Sequence, residues 1–176
     1  AYNHMGDTPY LLALSCGAYL VDDAPLDIVT VRDRANAARK EASASGLSLC
    51  SISFCNDADF ERILRDKELE NRMDDALAKG EFVAYLQPKV SLRDGRPVGA
   101  EALVRWISAE RGLIPPNDFI PLFEKNGFVT EIDLHVLRQA CTRLEERLAQ
   151  GLPVVPIACN FSRLHLQRDG FPERVK

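Results

Sequence analysis

The chain has 176 residues, is 46% hydrophobic and 27% charged, and carries a formal net charge of −4; this is globular composition, enough for one medium domain or two incomplete ones, without a broad basic surface for duplex DNA, RNA or anionic membrane. It holds no run of eighteen apolar residues, and AYNHMGDTPY at 1–10 has neither a basic n-region nor an apolar h-region, so the sequence predicts a soluble, cytoplasmic chain with no export signal and no membrane segment. Five cysteines, at 16, 50, 55, 141 and 159, lack CxxC spacing and fit a reducing compartment better than a disulfide framework or a zinc knuckle.

In chain order, LLALSCGAYL (11–20) reads as a strand, IVTVRDRANAARKEASAS (28–45) as a helix stopped near Gly46, and SLCSISF (48–54) as a short strand. A strand-helix-strand unit of this size is too small to bury its own core. DADFERILRDKELENRMDDALAKG (57–80) follows as a charged helix with a sparse stripe of Ile63, Leu64, Met73 and Leu77, and a domain boundary is placed inside it near Asp66. FVAYLQPKVSL (82–92) and PVGAEALVRW (97–106) are strands flanking RDGR, whose Asp-Gly is a hairpin signal. Asn117 is positioned to cap the helix DFIPLFEKNG, with Gly127 ending it. Thr130 and Asp133 resemble a capping box, and Ile132, Val136, Ala140, Leu144 and Leu148 form an i, i+4 stripe ahead of Gly151. Cys141 and Cys159 sit in apolar patterns as small core residues. In VVPIACNFS (154–162), a last apolar strand, Pro156 delays regular pairing until after itself. Strands alternating with helices in this way predict α/β layering.

Inside GAEALVRW (99–106) two charges interrupt an apolar run. With the two-residue period of a strand, Gly99, Glu101, Leu103 and Arg105 share one face, and Ala100, Ala102, Val104 and Trp106 the other. Glu101 and Arg105 stand four residues apart, about 13 Å of strand rise, which disfavours a direct ion pair. In the last strand Asn160 shares a face with Ala158 and Ser162. A Glu carboxylate and an Asn carbonyl at strand ends suit a hard cation such as Mg²⁺ or Mn²⁺, and the planar fork of Arg105 suits a phosphate. Each has a plain structural alternative. Glu101 can be satisfied by backbone or solvent, Arg105 can snorkel at a strand end, Asn160 can cap the next turn, and Gln87 can end a strand because it precedes Pro88. His135 reads as a packing residue, and Trp106 as filler between strand and outer helix.

Taken together, YLQPKVSL, GAEALVRW, GLIPPNDFIPLFEKNG, IDLHVLRQAC and CNFS resemble, in order and spacing, the N-terminal half of an EAL domain of the cyclic-di-GMP phosphodiesterase family, whose name stands here as Glu101, Ala102 and Leu103. The resemblance implies an incomplete TIM-like (β/α)8 barrel over residues 68–176, two divalent metals (Mg²⁺ or Mn²⁺), and hydrolysis of cyclic di-GMP to pGpG. Glu101 and Asn160 match metal ligands of the family, while Gln87, Leu103 and Arg105 match substrate-binding positions. A barrel of this kind needs about 250 residues; the later acidic ligands and the catalytic Lys of the family have no counterpart here. The expectation is therefore a chain that supplies no catalytic residue and does not turn over alone. Residues 1–56 resemble, more weakly, the C-terminal part of a degenerate GGDEF domain, a partial α+β segment. Asp33, Ala35 and Lys40 fit its closing helix, whereas Ala37 stands where an aromatic is usual and Arg39 where a small residue is usual. Residues 57–67 then form a linker helix.

The implied function is a bacterial cyclic-di-GMP signalling protein, with two alternatives from other classes: a nucleotide sensor that does not hydrolyse, and a protein-interaction scaffold. A partial barrel has an open strand edge, which predicts association such as a homodimer. The longer parent is expected to be cytoplasmic or tethered to a membrane by other segments.

Overall fold

A computed structural model of the chain describes residues 3–5, 8–10, 13–21, 25–44, 50–167 and 170–175. They fall into two compact units, residues 1–67 and 68–176.

In the first unit, β1 (Asn3–Met5) and β2 (Thr8–Tyr10) pair antiparallel, a hairpin that no alternating apolar pattern announces. β3 (Leu14–Tyr19) and β4 (Cys50–Cys55) run parallel, Leu14 beside Cys50 through Tyr19 beside Cys55. The helix α1 (Ile28–Ala44) connects them. Parallel neighbours need such a crossover because no tight turn can join them. Leu11, Leu12, Gly46, Ser48 and Leu49, expected in these elements, lie outside the described residues. Asp27 caps α1, its carboxylate accepting from the Val29 and Thr30 amides and the Thr30 hydroxyl. α1 buries Ala38 and Ala42, and it lies so close to β3 that a Cβ at Gly17 would stand 2.1 Å from the Ala35 carbonyl oxygen and 2.2 Å from the Arg39 amide nitrogen.

The charged segment forms one helix, α2 (Asp57–Ala78). Its buried positions are Leu69 and Ala76, with Met73 and Leu77 packed beside them, while Leu64 is exposed. The apolar stripe thus runs through Leu69, which the expected spacing passes over. In the second unit Arg72 donates to the Ser108 hydroxyl at 3.0 Å and pairs with Glu110 at 3.1 Å, and Arg111 pairs with Glu68.

Four strands form the sheet of the second unit. β5 (Phe82–Val90) pairs antiparallel along one edge of β6 (Pro97–Ser108). On the other edge, β7 (Gly112–Ile114) is antiparallel to residues 106–108, and β8 (Ile157–Cys159) is parallel to residues 100–102. The turn between β5 and β6 places Gly95 at φ +70°, with its amide donating to Ser91 O, the left-handed backbone that a Gly accepts without strain. β8 is only three residues long, pairing after Pro156, and Val154 is exposed.

Two helices cover one face of the sheet, α3 (Pro116–Asn126) and α4 (Val129–Ala149). Phe82, Trp106, Phe119, Phe123 and Phe128 form a chain of ring contacts at 4.8–5.9 Å between them, tilted or edge-on as ring quadrupoles prefer. Trp106 is fully buried, and its indole N–H donates to Glu81.

The helix ends differ from expectation. α3 starts at Pro116, with Pro115 as N-cap and no side-chain cap bond, so Asn117 lies inside the first turn. Two consecutive prolines fix the entry φ values without a capping side chain. Gly127 ends α3 at φ +83° as expected. α4 begins at Val129, so Thr130 is already helical and its hydroxyl donates to Gly127 O. Asp133 is therefore no capping residue and is bound elsewhere. Ile132, Val136 and Ala140 are buried, whereas Leu148 and Cys141 are exposed; Cys141 follows Ala140 by 100° around the helix and turns away from the sheet. Among the described residues no helix is long and apolar enough to cross a membrane.

Candidate functional site

The face of β6 opposite the aromatic core carries Glu101, Leu103 and Arg105, all half-buried. Antiparallel register sets Tyr85 beside Leu103, Gln87 beside Glu101 and Lys89 beside Gly99, so these side chains stand on the same face. Parallel register sets Ala158 of β8 beside Glu101. Asn160, two residues further on, therefore returns to that face just beyond the end of β8.

The geometry brings Glu101 and Asn160 together. Asn160 Nδ2 donates to Glu101 Oε1 at 2.8 Å, and Lys89 Nζ lies 3.8 Å from Glu101 Oε2. Gly99 has no side chain, so Lys89 opposite it reaches diagonally to the carboxylate. Glu101 lies within a strand that continues six residues past Ala102, not at the strand's end; what ends beside it is the parallel pairing with β8. Arg105 does not meet Glu101. Its guanidinium donates to Val104 O at 2.8 Å and lies 5.9 Å from the Tyr85 ring centre. Arg105, Leu103 and Asn160 also border a cavity of about 290 Å³, but its wall is mostly the other face of β6 and the helix layer, with Ala102, Val104, Ile120, Val129, Ile132 and Val136, and Glu101 does not line it. Gln87 is exposed, the cross-strand neighbour of Glu101, and does not line that cavity.

Three polar residues beyond the sequence reading shape this region. Lys89 supplies positive charge to Glu101. Asp133, on α4, accepts from the Ser162 amide at 2.8 Å and from His165 Nε2 at 3.0 Å through the same oxygen. Burial raises the Asp133 carboxyl above its ordinary value, while the bonds from Ser162 and His165 pull in the opposite direction. His165, in the 3₁₀ turn Arg163–Gln167, is 2% exposed and packs on Phe161 and Phe171. The Lys89 contact was in principle legible, since a hairpin centred on Asp-Gly puts residue 89 opposite residue 99.

As a donor set for a cation, Glu101 offers two carboxylate oxygens and Asn160 one amide oxygen, which a 180° turn of the amide would direct at the position its N–H₂ holds now. Oxygen ligands of this kind fit a hard divalent ion. Among the described residues no group of three or more His, Cys, Asp and Glu side chains gathers around one point, and these two side chains alone do not supply the roughly six or more oxygens that such an ion takes.

The sequence model of the EAL domain matches residues 70–176. The bifunctional diguanylate cyclase/cyclic di-GMP phosphodiesterase MucR of Pseudomonas aeruginosa is 38% identical over 101 residues, 57% of this chain and 15% of MucR. The cyclic di-GMP phosphodiesterase NbdA of the same organism is 31% identical over 140 residues, 75% of this chain and 18% of NbdA. The chain thus spans less than a fifth of the length of these relatives. Among solved structures, that of the MucR phosphodiesterase in complex with c-di-GMP is similar at a TM-score of 0.57 and 36% identity, covering 61% of this chain and 44% of that one. The EAL domain of Xanthomonas citri FimX, solved with c-diGMP, shares the fold at a TM-score of 0.51 and 24% identity, over 67% of this chain and 44% of that one.

Proposed function

The chain belongs to the EAL domain family, and from that premise we propose that it carries the first part of a cyclic-di-GMP site in a bacterial signalling protein whose intact form hydrolyses the dinucleotide to pGpG. The observation that carries this reading is the contact between Asn160 and Glu101, in which the side chain just past the end of β8 donates at 2.8 Å to the carboxylate of the neighbouring strand β6, on the face opposite the aromatic core.

In this reading Glu101 and Asn160 hold part of the shell of a Mg²⁺ or Mn²⁺ ion. When bound, such an ion lowers the pKa of a coordinated water and neutralises charge on a phosphodiester. Arg105 grips a phosphate oxygen: its present acceptor is a backbone carbonyl, and a charge-assisted bond to phosphate is stronger. Leu103, on the same face as Glu101 and Arg105, offers apolar surface for ribose or base, and Gln87 offers an amide beside Glu101. Lys89, 3.8 Å from Glu101 Oε2, places a positive charge beside that carboxylate. A divalent ion takes about six oxygens, and two side chains do not complete that number, so the 176-residue chain alone binds weakly and does not turn over. Residues 1–56 are read as the end of a GGDEF-like domain and 57–67 as the helix leading into the EAL part. The parallel β3–α1–β4 unit supports this reading.

Calorimetric titration of cyclic di-GMP with Mg²⁺ into the natural protein that carries this chain, followed by chromatography for pGpG, tests the proposal. Binding with pGpG formation, lost in Glu101→Ala with the fold retained, supports it. Binding with the dinucleotide left intact makes the protein a sensor instead, and no binding makes it a scaffold. Substantial hydrolysis surviving in Glu101→Ala at saturating metal overturns the assignment of Glu101.

A further inference from the structure

Asn160 has no regular secondary structure of its own to hold it. It follows the last residue of β8, Cys159, and precedes a stretch whose fixed points all lead to one side chain. Asp133 Oδ2 accepts the Ser162 amide at 2.8 Å and His165 Nε2 at 3.0 Å. The His165 amide bonds back to Ser162 O at 3.1 Å, and the ring of His165 is fixed by Phe171 at 4.5 Å and Phe161 at 5.3 Å. The Asp133 side chain is 13% exposed. Two residues of extended chain span at most about 7 Å. Asn160 is therefore bracketed on one side by the β6–β8 pairing and on the other by the amide of Ser162, pinned to α4.

We propose that Asp133 is a positioning residue for the metal and nucleotide site: by anchoring Ser162 and His165 to α4 it fixes the backbone after β8 so that the Asn160 amide meets Glu101. The inference rests on the reading that Glu101 and Asn160 act together on a cation. It adds a residue that touches neither cation nor nucleotide and sits on the helix layer. A carboxylate with one oxygen shared by two donors is suited to this task, because loss of either bond leaves a buried acceptor with its remaining donor and the loop hinged at one point rather than two.

The test is NMR of the full 176-residue chain, reading the Asn160 side-chain amide pair, assigned by its disappearance in Asn160→Asp, and the Trp106 indole N–H as a marker of the fold. In Asp133→Ala the Asn160 signals are expected to move to the position of a solvent-exposed amide while the Trp106 signal stays. In Asp133→Asn, which keeps an acceptor oxygen, they are expected to stay in place. Added Mn²⁺ alone broadens the Asn160 signals in the parent chain, and about tenfold more Mn²⁺ is needed in Asp133→Ala. Asn160 signals unmoved in Asp133→Ala overturn the proposal, as does a Trp106 signal lost equally in Asp133→Ala and Asp133→Asn, which marks a general structural role. If Mn²⁺ fails to broaden the Asn160 signals of the unaltered chain while Asp133→Ala still moves them, the cation reading fails and the positioning role stands.

Discussion

The outer edge of β5 is held by a side chain rather than by a strand, and removing that side chain makes a measurable prediction. Gln139 of α4 accepts from the Ala84 amide through Oε1 at 2.9 Å and donates to Phe82 O through Nε2 at 2.8 Å. It bonds two residues of one strand as a neighbouring strand's peptide would. Its second Nε2 hydrogen points at His135 Nε2, 2.6 Å away, and His135 Nε2 itself lies 3.0 Å from Phe82 O. In Gln139→Ala, His135 can change tautomer and donate to Phe82 O, but the half-buried Ala84 amide loses its acceptor. An unmade bond at such a site costs about 1–3 kcal/mol; with one of two groups rescued, a loss of about 2 kcal/mol is expected. Trp106 is the only tryptophan, is fully buried, and stacks on Phe82 at 4.8 Å, so its fluorescence in urea reports this unit alone. At a slope of about 2 kcal/mol per molar, the midpoint falls by about 1 M. A midpoint within about 0.2 M of the parent in Gln139→Ala refutes the reasoning.

Gly17→Ala forces a Cβ into backbone atoms of α1 2.1 and 2.2 Å away, which no side-chain rotation relieves. A loss of about 3 kcal/mol in the first unit is expected, read as roughly 100-fold faster hydrogen exchange at the paired amides of β3 and β4, and unchanged exchange refutes it. The Thr30 hydroxyl bond, then the Thr30 and Val29 amides, hold the Asp27 carboxyl below its ordinary value of 3.8. Its contribution to α1 is present at neutral pH and is lost as pH falls through that lowered pKa. A carboxyl ¹³C titration with its midpoint at or above the ordinary value contradicts the cap. Arg105→Ala is expected to weaken cyclic-di-GMP binding by about 10- to 100-fold, the worth of a charged hydrogen bond, and to leave Mn²⁺ affinity unchanged; equal loss of both makes Arg105 structural.

The residues whose placement is legible in the sequence share one property: their place in the fold follows from local period. Alternation in GAEALVRW puts Glu101, Leu103 and Arg105 on one face and sends Trp106 to the core, and the four-residue spacing between Glu101 and Arg105 predicts the separation that the structure shows, with Arg105 on Val104 O and Glu101 on Asn160. Gly127 at the end of α3 and Pro156 before β8 are legible for the same reason, since each acts on its own backbone. Where the reading went astray, a local signal competed with a distant partner. Thr130 and Asp133 have the spacing of a capping box, but the chain enters α4 two residues earlier, with Phe128 at the N-cap and Val129 first in the helix, which frees Asp133 for Ser162 and His165, 29 and 32 residues on. His135 reads as a packing position and Gln139 carries no local signal, because nothing in their neighbourhood names β5, more than fifty residues back, as their partner. A carboxylate or amide placed on the apolar side of a helical stripe pays a desolvation cost that only such a distant partner can offset. Asp133, one residue beyond Ile132 and three before Val136, stands beside that stripe, and its position there points to the loop that carries Asn160.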